Sequence, residues 1–206
     1  MLPLLLSLVA SVHAACVLDM VETRARLSAD EVRRVDTHWY WVDSGEVDCR
    51  RIFIAQEPGQ TVDSLRVRIQ RERRPHRVGM ERLVREPGTL DGGAGWWIVL
   101  PELRQNDRVS VRMRRTATQA RLHWSPVGAQ WASLHLEGSG LRAWKRQDEG
   151  WDSIGLAAVR NAVWTAADPS PMPEFVVAVG GGAPEAVAPP VDRGVAEVVE
   201  RTRTLR

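Results

Sequence analysis

The sequence predicts an all-β chain folded as a two-sheet, antiparallel, immunoglobulin-like sandwich. Three observations carry that prediction. Apolar and polar residues alternate with period two, clusters of Gly, Pro, Asp and Ser punctuate the chain, and about ten short strands recur at roughly 10- to 15-residue spacing. The 206 residues suit one domain of ordinary size with appendages. A composition of 44% hydrophobic and 26% charged residues is globular and excludes a disordered, collagen-like or polytopic membrane chain.

The first element is an uncharged apolar run from Leu2 to Val12 that ends in the small-residue motif Val12-His13-Ala14. It reads as a signal peptide over residues 1–14. The run is too short to span a bilayer, which takes about 20 residues, and it predicts an exported protein, periplasmic or secreted. In an oxidising compartment Cys16 and Cys49 are expected to form a disulfide. The bridge would close a loop of about 34 residues and stabilise by about 3 to 4 kcal/mol. Lipidation of Cys16 and free thiols are the alternatives; His13-Ala14-Ala15 departs from the Leu-Ala-Gly type of lipoprotein site.

The sandwich is expected over residues 15–179. VLDMVETRARL forms its first strand and Ser28-Ala29-Asp30 the turn after it. In Thr37 to Val42 the alternation places Trp39 and Trp41 on one face and His38, Tyr40 and Val42 on the other. Asp43-Ser44-Gly45 is a turn, Arg51 to Ala55 a strand, and Glu57-Pro58-Gly59 a further break. Then SLRVRIQRER turns Leu65, Val67 and Ile69 inward and Arg66, Arg68 and Gln70 outward, and RVSVRMRR turns Val109, Val111 and Met113 inward and Arg108, Arg112 and Arg114 outward.

Between those two strands the sequence predicts a strand near Val78 to Val84, a Pro87-Gly88 turn, a flexible DGGAG stretch and the strand WWIVLPEL, ended by Pro101. Further strands are expected at Arg121 to Ser125, Trp131 to Leu136, Leu141 to Trp144, Val159 to Thr165 and Glu174 to Val179. Residues 180–191 are rich in Gly and Pro and read as a linker. Asp192 caps a predicted short helix over residues 192–206, with Val195, Val198, Val199 and Leu205 as its apolar stripe.

No motif for catalysis or metal binding emerges. Ser139 in EGSGL lacks the GxSxG spacing and the strand-to-helix turn of a nucleophile elbow, and it reads as a hairpin loop. His123 and His135 fall on what look like neighbouring strands, without a third ligand for a metal. Gly180 to Gly182 lack the spacing and the following helix of a phosphate loop. No cofactor is predicted, and the chain reads as non-catalytic.

Two features point to binding. Nine Trp against one Tyr and two Phe is an unusual balance, and exposed Trp stacks on sugars or apolar partners. Trp39 and Trp41 share a face, and of adjacent Trp96 and Trp97 one must leave the core side. Of the 28 basic residues only Lys145 is lysine, and the rest are arginine, suited to bidentate recognition of carboxylate and phosphate. Arg66 and Arg68 on one strand with Arg108, Arg112 and Arg114 on another make a single basic patch if those strands adjoin. The contact residues expected are Trp39, Trp41, Trp96, Arg66, Arg68 and Arg112. Their partner is expected to be an envelope protein, an anionic polymer or a lipid surface. Nucleic acid is disfavoured by export and by the lack of a binding motif.

The order of VETRARLSADEVRRVD, WWIVLPELRQNDRVSVRMRR and LHWSPV resembles the β-sandwich domain of unknown function that precedes transglutaminase-like domains in exported bacterial proteins. Asn106-Asp107 stands where that family tends to have Gly-Asp. The resemblance covers roughly residues 17 to 179. It implies an accessory domain, with any catalysis in a separate Cys-His-Asp domain that would begin near residue 192, so no catalytic residue of the family falls on this chain. Two alternatives stand beside the accessory reading: the N-terminal part of a transglutaminase or protease-like enzyme, and a glycan-binding module.

Overall fold

The computed structural model describes residues 16–42, 47–56, 59–71, 74–78, 84–90, 93–101, 103–104, 106–126, 129–147, 150–165, 173–184 and 196–200. The chain is all-β, a sandwich of antiparallel sheets, with no α-helix among the described residues. Fifteen strands are β1 (Cys16–Leu27), β2 (Val32–Val42), β3 (Val47–Ala55), β4 (Gln60–Arg71), β5 (Arg74–Val78), β6 (Val84–Leu90), β7 (Gly93–Val99), β8 (Arg108–Ala117), β9 (Arg121–Trp124), β10 (Trp131–Glu137), β11 (Leu141–Gln147), β12 (Gly150–Ile154), β13 (Ala162–Thr165), β14 (Phe175–Val179) and β15 (Ala196–Glu200).

They form three sheets rather than two. A seven-stranded sheet has the order β13-β10-β1-β2-β8-β4-β5, and two four-stranded sheets have the orders β12-β11-β14-β9 and β15-β3-β7-β6. All pairings are antiparallel except β1 with β10. Each small sheet covers a different part of the long one, so one sheet serves two cores. In the first core Tyr40, Leu65, Val67, Val109 and Val111 of the long sheet meet Ile52, Ile54 and Ile98 of β3 and β7. In the second, Ala25, Leu27, Leu134 and Leu136 meet Leu122, Trp124, Phe175 and Val177. The alternation that predicts β4 and β8 holds: Leu65, Val67, Ile69, Val109, Val111 and Met113 are buried, and the arginines between them are exposed.

β1 feeds both cores, and a bulge makes that possible. The register with β2 shifts between Leu18 and Met20, which resets the alternation so that Leu18 and then Val21, Thr23, Ala25 and Leu27 all point inward. Asn106 closes the turn before β8 with φ +66, the left-handed region that Asn tolerates, and its N–H donates to the Val42 carbonyl at 2.8 Å.

Several expectations are corrected. Pro87-Gly88 is not a turn but lies inside β6, an edge strand, the place in a sheet that admits proline. Gly93, Ala94 and Gly95 of DGGAG belong to β7, and Gly95 is needed there because a Cβ would run into the Ile54 carbonyl and the Phe53 ring. The Ser139 loop is not a hairpin: residues 138–140 carry the chain from the seven-stranded sheet into a four-stranded one, with Gly138 and Gly140 at positive φ. The predicted helix lies mostly outside the described residues. The part that is described, Ala196–Glu200, is a strand on β3, in keeping with the β-branched Val198 and Val199. Of the strand expected near Val78 to Val84, Val78 ends β5 and Val84 begins β6, and residues 79–83 lie outside the described residues, as do residues 1–14 and most of the linker. So do the side chains of Cys16 and Cys49, and with them the disulfide and lipid-anchor expectations.

Candidate binding face

β8 lies between β2 and β4 in the long sheet, so the condition for one basic patch is met. On the outer face Arg112 is opposite both Thr37 of β2 and Arg66 of β4, and Ser110 is opposite both Trp39 and Arg68. Neighbouring strands are about 4.8 Å apart, and side chains two positions along one strand are about 7 Å apart. The guanidinium stems of Arg66, Arg68, Arg112 and Arg114 therefore form a close grid.

Trp39, Arg66, Arg68 and Arg112 line one hollow of about 360 Å³, with Glu22 and Arg24 on its far wall. A second hollow of about 660 Å³, lined by Arg26, Arg33, Arg114 and His135 among others, shares Arg24 and Val35 with the first. Four acids line these hollows: two are ion-paired with neighbouring arginines, Asp63 is held by threonine hydroxyls, and Glu137 Oε1 lies 3.7 Å from His135 Nε2. Glu22 is 2.8 Å from Arg24 and Glu31 2.6 Å from Arg33. Asp63 accepts from Thr61 at 3.1 Å and from Thr116 at 2.6 Å. No carboxylate among the described residues lies within ion-pair distance of Arg66, Arg68, Arg112 or Arg114. These four charges are solvated and available.

Five of the six expected contact residues thus share this face. Trp41, 42% exposed, is one row further along it, with the Arg108 guanidinium 5.6 Å from its ring centre. Trp96 does not belong: it is on β7 of another sheet, exposed, and its Nε1–H donates to Gln56 Oε1 at 3.0 Å. Its neighbour Trp97 points to the other face of β7 and packs on Phe53, ring centres 5.0 Å apart. Sequence reasoning missed Trp131 and Met20. The parallel pairing of β1 with β10 sets Met20 between Trp131 and Trp39 on the outer face. The period-two pattern of residues 131–137 shows that Trp131 faces away from the core, but no local signal tells which strand lies beside it.

The inner side of the same strands carries a different polar cluster, in the seam between the two cores. Asp36, 1% exposed, accepts from Thr23 Oγ1 at 2.8 Å and from Arg34 Nε at 2.7 Å, and Arg115 Nε lies 3.4 Å from it. Trp124 Nε1 donates to Thr23 Oγ1 at 3.0 Å, Arg34 Nη1 to the His123 carbonyl at 3.2 Å and Arg115 Nη1 to Gln60 Oε1 at 3.2 Å. This network links β1, β2, β4, β8 and β9, and Arg115 Nε contributes its charge to Asp36 at that distance rather than a hydrogen bond.

His123 and His135 do not face each other. His123 is on β9 of a small sheet, its Nε2 2.7 Å from Glu174 Oε1, and His135 is on β10 of the long one. The His123 hydrogen bond holds the Glu174 carboxyl below its ordinary value, outweighing burial, and the His123 and Arg146 charges act in the same direction. Among the described residues no group of three His, Cys, Asp or Glu is placed to hold a metal, and no helix is long and apolar enough to cross a membrane.

No protein-family model matches the chain, and neither does any curated protein. Among solved structures it is similar to a two-domain M1 zinc metallopeptidase mutant bound to L-tryptophan, at 9% identity and TM-score 0.43, over 81% of this chain and 43% of that one. The M1 zinc metallopeptidase from Deinococcus radiodurans gives 9% identity and TM-score 0.43 over 80% of this chain and 42% of its own. The chain spans less than half the length of these structures.

Proposed function

We propose that this chain is a non-catalytic binding module of the bacterial envelope that holds an anionic partner on the outer face of its seven-stranded sheet. One observation carries the reading: the pairing of β2, β8 and β4 gathers Arg66, Arg68, Arg112 and Arg114 beside Trp39 around adjoining hollows, with no described carboxylate within ion-pair distance of them. Guanidinium groups stay charged at every working pH, so they serve as anion receptors and not as acids or bases. The nearby Glu22 and Glu31 are tied to Arg24 and Arg33. Export by the signal-like N-terminus would deliver the face to the envelope, where acidic polymers and surfaces are found. As the resemblance implies, a module of this kind would serve a catalytic domain in a separate unit.

The test is titration of the full chain with polygalacturonate, a soluble polyanion, at rising salt. Affinity is expected to fall with ionic strength, and the double variant Arg66→Gln/Arg112→Gln to bind about ten-fold or more weakly, since a charge-assisted contact contributes about 1.5 to 3 kcal/mol. Binding that ignores both salt and the substitutions would sink the reading.

A further inference from the structure

The basic patch is continuous with an aromatic row, and together they specify more than charge. Reading across the outer face from β10, the register places Trp131 opposite Met20, Met20 opposite Trp39, Trp39 opposite Ser110 and Ser110 opposite Arg68. Trp131, Met20 and Trp39 are each half-buried, so their outer surfaces face solvent. Two strand spacings put the two indoles on the order of 10 Å apart, the span of a disaccharide. Neither indole N–H donates a hydrogen bond to a described residue.

We infer that the outer face takes an acidic polysaccharide, laid across the strands with sugar rings over Trp131 and Trp39 and acidic groups on Arg68, Arg66 and Arg112. The inference rests on the reading of this face as the site of an anionic partner. Geometry narrows the partner in two steps. The exposed arginines run from Arg68 through Arg66 and Arg112 to Arg114, a strip too long for one small anion. They also line hollows of about 360 and 660 Å³, into which a single chain can settle but a flat headgroup layer cannot. An indole presents an apolar plane for the C–H face of a sugar, and Ser110, placed between Trp39 and Arg68, adds a hydroxyl for a ring oxygen or hydroxyl. An acidic polypeptide would use the arginines and leave the aromatic row idle.

The full chain would be titrated with polygalacturonate, polyglutamate, oligo-dT and the neutral glucan pullulan. The variants are Trp39→Thr and Trp131→Thr, which keep a strand-forming residue at each position. Polygalacturonate is expected to bind best and to lose about 5- to 10-fold in each variant, while polyglutamate binds more weakly and is indifferent to both substitutions. Should a variant unfold, protection of tryptophan fluorescence from acrylamide in the unsubstituted chain, by polygalacturonate and not by polyglutamate, gives the same answer. Equal binding of polyglutamate with no tryptophan dependence would overturn the glycan inference and leave the anionic reading standing. Tighter, tryptophan-dependent binding of oligo-dT would replace the glycan with single-stranded nucleic acid. Failure of all three polyanions would remove both readings, and binding of pullulan alone would remove the role given to the arginines.

Discussion

Arg34 and Arg115 on the inner face of β2 and β8 carry the same charge as Arg66, Arg112 and Arg114 on the outer face of β4 and β8, yet the two sets are used in opposite ways. The inner pair is buried and organised around Asp36, with Thr23, Trp124 and Gln60 completing the network. The outer set is exposed and has no described carboxylate within reach. Removing a charge from water is costly unless it is paired and hydrogen-bonded, so the inner arginines are fixed parts of the scaffold. The outer ones keep their hydration and can exchange it for a ligand. An arginine-rich composition therefore does not mark a binding surface by itself; partnership does.

The sharpest way to break this contrast is Asp36→Ala. It leaves two buried guanidiniums without their shared carboxylate, and the expected loss is about 3 to 5 kcal/mol, read as the shift in urea midpoint. A change below 1 kcal/mol would mean that the seam is open to water and the inner and outer arginines are equivalent. Gly95→Ala tests the small sheet that closes the first core. The added Cβ meets the Ile54 carbonyl and the Phe53 ring, and the expected cost is about 1 to 3 kcal/mol with no effect on polyanion binding. Loss of binding in a still-folded Gly95→Ala chain would place the partner on the wrong sheet.

The same contrast explains what the sequence discloses. β4 and β8 are legible because their inner positions are apolar and their outer ones are arginine, so hydrophobicity and burial alternate together. The first half of β2 is not. There Arg34 and Asp36 point inward and Val35 outward, which inverts the hydrophobic alternation and hides a strand that begins at Val32 rather than near Thr37. The face of each candidate residue is a local property, readable from parity: Trp39, Trp41, Arg66, Arg68 and Arg112 follow it. Which strands adjoin is set by contacts between residues distant in the chain. The separation of Trp96 from Trp39, the placing of His123 and His135 in different sheets and the β1–β10 pairing that brings in Trp131 therefore left no local trace. Pro87-Gly88 misleads for a related reason, since a turn signal and an edge strand admit the same residues.

A smaller effect is expected at Asp107, next to the turn that enters β8. Its carboxyl, buried at the strand ends beside β2, accepts from Arg71 Nη2 and from the Arg104 amide, both at 2.9 Å. Burial pushes the carboxyl up, but the Arg71 and Arg104 hydrogen bonds and charges outweigh it and hold Asp107 below its ordinary value of 3.8. The unfolded chain then binds more protons than the folded one between the two values. This contribution is complete above the unfolded value and is lost as pH falls through the folded one. Asp107→Asn is expected to cost about 1 kcal/mol at neutral pH and to flatten the fall in urea midpoint below pH 3.8. The part due to Glu174, lowered for the same sign of reason, remains. An unchanged acid profile in Asp107→Asn would show that Arg71 is as loosely held as the outer arginines.

The smallest expected effect has the opposite sign. Arg66 and Arg112 are direct cross-strand neighbours, and like charges directly opposite each other destabilise a sheet by roughly 0.2 to 1 kcal/mol. Arg112→Gln should therefore raise the urea midpoint slightly at low salt, with the gain fading as salt screens the pair, while polyanion affinity falls. A stabilised chain that has lost its ligand would show that the outer grid is held against the interest of the fold, as expected when a surface serves a partner. If Arg112→Gln instead destabilised by more than about 1 kcal/mol, beyond what surface positions usually show, the outer arginines would be structural. The division between the two faces of the long sheet would then fail.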